Sequence, residues 1–354
     1  QVVARRTYAI ALGHLRRADA AVDAWREVLK IAPDDPRANR ELGSMLVQQK
    51  RYSEALPYLE MAAKSDSSPA AQNLLGTAYL QAGQIEKGTA TLDKVVETDS
   101  SPEMLNDIGY ELAEANADLP KALEYAQQAV DKQEKESLDV ELSNLLPEDL
   151  RCTQKIGMVW DTLGWVHFRL GNLDRAEAYI YAAWLLSQSA VVGDHLGQIY
   201  EQEKKREKAI HMYRLALAAL GARAFGDGGE EIRCRLEHLT GTKAPTTLHQ
   251  LSGDPSGSEL SQLRSVKLKQ LVPGLATAEF FLLFSPGPKV EDVQFIRGSE
   301  KLKFAGDALS EAKFQVSFPE GSSTRLVRRA ILTCSKISGC QAVLFTPDLV
   351  NSVN

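Results

Sequence analysis

The chain has 354 residues, of which 44% are hydrophobic and 25% charged, a composition typical of a globular protein. Its formal net charge of -6 argues against nucleic-acid binding, and no apolar run approaches the roughly 18 residues that span a membrane. Four cysteines are too few for a disulfide scaffold and lack zinc-site spacing. We therefore expect a multidomain globular protein that binds no nucleic acid, metal or other cofactor and does not insert into a membrane. Because it begins with Gln1 rather than methionine, we expect a processed protein or a piece of a longer one.

Five glycines, each preceded by a large aliphatic residue, recur through the first two thirds of the chain. The steps between them are 33, 33, 55 and 33 residues, and a second small residue usually follows twelve positions after each glycine. Small side chains at such points let two helices of one repeat cross closely. The pattern therefore predicts helix-turn-helix repeats around Gly43, Gly76, Gly109, Gly164 and Gly197.

Spacing, small residues and prolines between units together resemble the tetratricopeptide repeat. This resemblance implies an all-α superhelical solenoid over residues 1–223. The fifth copy is the best match, since it carries Trp160, Leu163, Gly164, Ala176 and Ala183. The six copies are predicted at 2–35, 36–68, 69–101, 102–135, 157–189 and 190–223.

The 55-residue step indicates an insertion of about 22 residues, at about 131–156. One interpretation, which we prefer, is a solvated extension of the second helix of the fourth repeat, followed by a loop whose leucines pack against the repeats. The alternative is a protrusion that contacts a ligand in the groove of the solenoid.

In the tetratricopeptide repeat family, the first helix of each repeat lines a concave groove. The resemblance points to the residues three before and one after each glycine as groove-facing. In this chain they run from basic through amide to acidic, so we predict that they bind and orient an extended peptide, with asparagines bonding its backbone. The pattern departs from the two-carboxylate clamp of chaperone-binding members, so we predict no chaperone-tail binding. The predicted groove residues are Arg40, Asn73, Asn106, Tyr110, Asp161, Trp165, Phe168, Asp194 and Gln198.

After residue 223 the repeat pattern ends. Residues 224–239 are predicted to contain a capping helix, and residues 240–262, rich in Gly, Thr, Pro and Ser, a linker. The remainder, 263–354, is predicted to be a small α+β domain. It has 12 basic and 8 acidic residues, a net charge of +4 against -10 for the rest of the chain, so the two parts attract each other.

Within this last domain, alternating and helical patterns follow one another. The alternation of Phe314, Val316 and Phe318 predicts one face of a strand, and strands over 324–334 and 339–345 are predicted to pair as a hairpin. The other predicted elements are strands over 278–285 and 290–297 and a helix over 301–312.

Three motifs of this domain resemble the C-terminal domain of TonB-type periplasmic proteins: Val290-x-x-Val293-x-Phe295, Gly298-Ser299 before a helix, and Lys313-Phe314 leading to Phe318-Pro319. The resemblance implies a sheet that binds partner peptides by strand addition at an exposed edge, in the bacterial periplasm; a cytoplasmic location is the alternative. The chain contains neither the anchor nor the Pro-rich spacer of that family.

Cys334 and Cys340 lie on either side of the predicted hairpin turn. They are predicted either to form a disulfide, as an oxidising compartment allows, or to remain two buried thiols.

Catalytic and metal-binding motifs are missing from the sequence. The six histidines show no metal-site spacing, and there is no nucleophile elbow, phosphate-binding loop or dinucleotide fingerprint. We therefore predict a non-enzymatic adaptor that binds protein or peptide partners. The alternative is the C-terminal regulatory half of a larger enzyme, for example one with an upstream transglutaminase-like module.

Overall fold

A computed structural model describes residues 1–221, 229–245, 255–269, 274–287 and 289–346. The chain divides into two compact units, residues 1–126 and 127–354, and the division lies within helix α8. In the described part of the chain, no helix is long and apolar enough to cross a membrane. The first eight helices are α1 (Val2–His14), α2 (Ala18–Ile31), α3 (Pro36–Gln48), α4 (Tyr52–Ala63), α5 (Pro69–Gln81), α6 (Ile85–Thr98), α7 (Pro102–Glu114) and α8 (Leu119–Ser137).

The first helices of repeats two, three and four begin in the same way. Each has proline in its first turn, preceded by a residue whose side chain accepts a hydrogen bond from a backbone N–H of that turn. Proline fits there because the first helical N–H groups have no partner within the helix, and the capping oxygen satisfies one of them. These capping residues are Asp35, Ser68 and Ser101.

The repeat glycines lie where the two helices of a unit cross. A Cβ atom at Gly43 would lie 2.5 Å from Leu59 Cδ2, and one at Gly76 would lie 2.6 Å from Leu92 Cδ2. Since both leucines are buried, a side chain at either glycine would force the helices apart. The sequence prediction that small residues mark helix crossings is confirmed.

The second unit contains the remaining repeat helices and a five-stranded sheet. The repeat helices are α9 (Pro147–Arg169), α10 (Leu173–Ser187), α11 (Ala190–Gln202) and α12 (Arg206–Leu220). They are followed by α13 (Glu230–Thr240), α14 (Ser256–Leu263) and, between the strands, α15 (Gly306–Ser310). The strands are β1 (Ser265–Leu268), β2 (Ala276–Phe284), β3 (Val290–Gly298), β4 (Leu326–Ser335) and β5 (Gly339–Leu344), antiparallel in the order β1-β5-β4-β2-β3.

The predicted β4–β5 hairpin is confirmed, as are the strands over 278–285 and 290–297. The predicted strand through Phe314, Val316 and Phe318 is wrong: no strand forms there. The N–H groups of Phe314 and Val316 donate to carbonyls two residues back. The predicted helix over 301–312 is also wrong, since it is divided into a 3-10 turn (Glu300–Leu302) and α15.

The capping helix is present as α13, whereas residues 224–228 of the predicted range lie outside the described residues. The predicted linker over 240–262 contains most of α14, and its residues 246–254 also lie outside the described part. A strand that the sequence did not reveal, β1, follows α14 directly.

The insertion packs on the C-terminal sheet. After α8 it forms a 3-10 turn (Leu142–Asn144), and α9 begins at Pro147. Val140 and Leu142 are buried in one cluster with Leu283 of β2 and Val327 of β4. Our preferred interpretation is therefore wrong in placing these apolar residues against the repeats. Its other part, a lengthened second helix in the fourth repeat, is present, since α8 extends to Ser137.

Polar contacts join the same parts of the second unit. The Thr153 hydroxyl on α9 donates to the Val327 carbonyl (3.0 Å) and accepts from the Val327 N–H (2.9 Å). The Arg325 guanidinium donates to the carbonyls of Leu138 (3.1 Å) and Val140 (3.2 Å). Backbone groups at the end of β4 are thus satisfied by a helix side chain rather than by another strand.

Candidate functional site

In the first unit, helices α5 and α7 form the walls of a cavity of about 410 Å³. This size lies within the range of roughly 300–1,000 Å³ that is common for ligand sites. Three predicted groove residues line it, so the structure brings part of the predicted set together. The polar lining residues are Asn73, Thr77, Asn106, Asp107, Tyr110 and Glu111.

Two asparagines in this cavity carry unsatisfied side-chain oxygens. The Oδ1 atoms of Asn73 and Asn106 are buried and have no hydrogen-bond partner in the described part of the chain. The Asn106 side chain is 6% exposed, and its Nδ2 donates to Asp107 Oδ1 (3.4 Å). A buried acceptor without a donor costs roughly 1–3 kcal/mol, so a ligand that donates hydrogen bonds to these oxygens would be stabilised by them.

Two carboxylates border the same cavity. Glu111 accepts a hydrogen bond from Gln81 Nε2 (3.2 Å), and Asp107 lies exposed at the mouth. Burial raises the pKa of Glu111, and the nearby Glu114 and Asp107 raise it further. The two carboxylates therefore give the cavity a negative electrostatic potential, which disfavours an anionic ligand.

Arg40 does not line this cavity. It is half-exposed and lies near two acids, with its Nη2 3.4 Å from Glu41 Oε1 and its Nη1 3.7 Å from Asp66 Oδ2. Exposed pairs of this kind contribute little to stability, so Arg40 keeps its access to solvent.

The predicted residues of the second unit form a cluster across α9 and α11. His195 Nδ1 lies 3.0 Å from Asp161 Oδ1, and the ring of His195 stacks on Trp165 with centroids 4.1 Å apart. Trp165 also stacks on Phe168, at 4.8 Å. His195 was not among the predicted groove residues. Its position two residues before Gly197 is the only signal in the sequence that could have pointed to it.

Asp194 is paired within the chain. Arg235 of α13 donates from Nη1 to both carboxylate oxygens (2.9 and 2.8 Å), and Gln198 Nε2 donates to Oδ2 (3.0 Å). Burial raises the pKa of Asp194, although Arg235 acts in the opposite direction. The sequence predicted Asp194 as a groove residue that contacts the peptide. It did not reveal Arg235, because only tertiary packing brings α13 to this carboxylate.

A second cavity, of about 290 Å³, lies beside this cluster. Asp161 reaches its wall, together with Met158 and Val191, which are 50% and 55% exposed. The cavity thus combines an acid with exposed apolar side chains, a combination suited to a polypeptide surface.

Cys334 and Cys340 face each other across the β4–β5 hairpin and are joined by a disulfide, with Cα atoms 4.0 Å apart. In the described residues, no group of three or more His, Cys, Asp or Glu side chains could hold a metal ion.

Paired helices with small residues at their crossings define a helical-repeat protein. Three family models, each described as tetratricopeptide repeat, match residues 8–71, 46–106 and 194–219. The repeats within these residues are therefore tetratricopeptide repeats, and a small antiparallel sheet follows the repeat helices. The expected resemblance of this sheet to TonB-type domains is not shown by the comparisons. A comparison with curated proteins finds no match.

The solved structures to which this chain is similar include three proteins. The Cut9-Hcn1 hetero-tetramer of APC/C is 17% identical, with 68% of this chain and 43% of that chain covered and a TM-score of 0.45. Yeast Tom70 is 13% identical (73% and 50% covered, TM-score 0.44). MamA from Desulfovibrio magneticus RS-1 is 27% identical (40% and 78% covered, TM-score 0.36). This chain thus spans less than half of the Cut9-Hcn1 chain that it matches.

Proposed function

We propose that this protein is a non-enzymatic scaffold that binds an extended segment of a partner protein along the first helices of its repeats. Tetratricopeptide repeat proteins are generally protein-interaction scaffolds without enzymatic activity. The observation that carries the proposal is the pair of unsatisfied asparagine oxygens in the cavity between α5 and α7.

Asn73 and Asn106 occupy equivalent positions in successive repeats, three residues before Gly76 and Gly109. An extended peptide presents backbone N–H groups at regular intervals, so it can supply donors to both oxygens. Each new hydrogen bond removes the cost of a buried unpaired acceptor, which favours the bound state.

The test is selection of random dodecapeptides displayed on phage, with the full chain immobilised. We expect enrichment of binders that is lost in Asn106→Ala. The matched control is Asn144→Ala, since Asn144 is exposed in the 3-10 turn of the insertion. Failure to enrich any peptide, or equal loss in both variants, would contradict the proposal.

The predicted residues of the second unit are proposed as further contacts with the partner. They are Asp161, Trp165, Phe168, Asp194 and Gln198, to which the exposed Arg40 of the first unit is added. The proposed orienting role of the acids predicts that the double variant Asp161→Lys, Asp194→Lys binds selected peptides and their reversed sequences equally. Unchanged discrimination would contradict it.

We also propose that the C-terminal sheet binds a partner strand along β3. In support, β3 is an edge of the sheet and pairs only with β2 among the described strands, and most of its residues are exposed or half-buried. An unpaired strand edge offers backbone donors and acceptors for strand addition. Hydrogen exchange should show protection of β3 amides when a bound partner is present; protection confined to the repeats would exclude this role.

The periplasm or cell envelope of a bacterium is the location that we propose. The buried cross-strand pair Cys334 and Cys340 supports it, because disulfides persist in oxidising compartments. Fractionation of bacterial cells expressing the gene tests this, and recovery with cytoplasmic markers would contradict it.

A further inference from the structure

We propose that the cavity between α5 and α7 binds an arginine side chain of the partner segment. This inference rests on the proposed function, because it assigns the chemistry of one residue in the bound peptide.

The polar groups that line the cavity are mostly acceptors. Asn73 and Asn106 each present an Oδ1 atom without a partner in the described part of the chain, and Glu111 and Asp107 add two carboxylates. No Lys, Arg or His belongs to the described lining. A group that donates several hydrogen bonds is therefore the complementary ligand.

The amide orientation of Asn106 supports this reading. Its Nδ2 donates to Asp107 Oδ1 at 3.4 Å, and reversing the amide would place Oδ1 against that carboxylate oxygen. The carboxylate thus holds the amide so that its oxygen remains the unsatisfied atom. Asn106 is 6% exposed and lines the cavity.

The charge of the cavity is uncompensated. Within the described chain, Glu111 has a neutral partner, Gln81, and no ion pair with a basic side chain. The raised pKa of Glu111, caused by burial and then by Glu114 and Asp107, reflects the same lack of positive charge. A cation supplied by a ligand would relieve both burial and repulsion.

Arginine fits this set better than lysine or a free polyamine. Its planar guanidinium carries five N–H donors in a fixed geometry, enough for two amide oxygens and a carboxylate. The cavity wall also includes Val47, Ala70 and Leu74, against which the aliphatic stem of arginine can pack.

The test uses an array of acetylated, amidated nonapeptides with random flanks and one fixed central residue, probed with the full chain. We expect central arginine to bind about tenfold or more above central glutamate, with lysine between them. The double variant Asp107→Asn, Glu111→Gln should lose this preference, and Glu111→Gln alone should reduce it. The control is Glu86→Gln, Glu97→Gln, which removes the same charge from exposed residues of α6 outside the cavity lining.

The outcomes separate the two proposals. Binding of many peptides without preference for arginine would overturn this inference and leave the proposed function standing. Absence of any peptide binding would overturn both. Equal loss of preference in the control variant would show that net charge, not this cavity, selects arginine. Displacement of the arginine peptides by equimolar spermidine, through the same two carboxylates, would overturn the choice of a peptide as the source of the cation. Thermal melts must show that all variants are folded.

Discussion

Replacing Thr153 with valine should destabilise the second unit through two backbone groups of β4. The Thr153 side chain is 1% exposed and Val327 is 3% exposed. Valine has nearly the same shape but cannot bond the Val327 N–H and C=O, which now lie 2.9 and 3.0 Å from the hydroxyl oxygen. At roughly 1–3 kcal/mol for each of the two unsatisfied groups, the free energy of unfolding should fall by about 2–6 kcal/mol.

Thermal and urea unfolding of the full chain measure this loss. For a unit of this size, about 3 kcal/mol corresponds to a fall in melting temperature of roughly 6–12 °C. Thr153→Ser keeps the hydroxyl and should cost only about 1 kcal/mol. Thr91→Val is the half-buried control, since that hydroxyl donates to the Lys87 carbonyl of its own helix. A loss in Thr153→Val no larger than in Thr91→Val would refute the reasoning.

Three further changes test other parts of the structure. Gly298→Ala should lower the free energy of unfolding in urea by about 3 kcal/mol or more, because Gly298 has φ +123° and a Cβ there would lie 2.5 Å from the backbone of β2. Its control is Gly321→Ala, which should cost only about 1 kcal/mol, since Gly321 has φ +83° but open space around it. Glu111→Gln should raise the melting temperature at pH 7, because burial raises the folded-state pKa of Glu111 above its ordinary 4.5. The charged Glu111 therefore destabilises the fold by an amount that is absent below about pH 4 and grows as pH rises through the raised pKa. An equal increase at about pH 3 would contradict that cause. Intact mass spectrometry should show two hydrogens gained on reduction, lost in Cys334→Ser; an unchanged mass would mean that Cys334 and Cys340 are free thiols.

The repeats could be predicted because their signal is local. A glycine at each crossing is required by the packing of two helices that are adjacent in sequence, so Gly43 and Gly76 are visible without knowledge of any distant contact. The β4–β5 hairpin is local in the same sense.

The remaining features depend on distant parts of the chain. The alternation of Phe314, Val316 and Phe318 indicates that one side of the segment is buried, and Phe318 does pack edge-on against Trp160. Alternation alone does not show whether a neighbouring strand is present to pair with the backbone, and no strand forms here. Likewise, nothing near Asp194 in the sequence indicates Arg235.

The candidate site shows the same division. Spacing from the repeat glycines identified Asn73, Asn106 and Tyr110, which do line one cavity. It could not identify Glu111 or Asp107 as part of that lining, because the prediction considered only two positions in each repeat. Whether an asparagine oxygen has a partner is a property of the folded chain alone.

The contacts of Thr153 and Arg325 have a consequence for how this combination of repeats and sheet can evolve. Thr153 of α9 completes the hydrogen bonding of β4 at Val327, and Val140 and Leu142 of the insertion cover apolar residues of the sheet, so a chain that lost this segment would expose both. A sheet added without the insertion would likewise lack its support. The insertion and the C-terminal sheet, which are far apart in sequence, should therefore be gained or lost together among related genes.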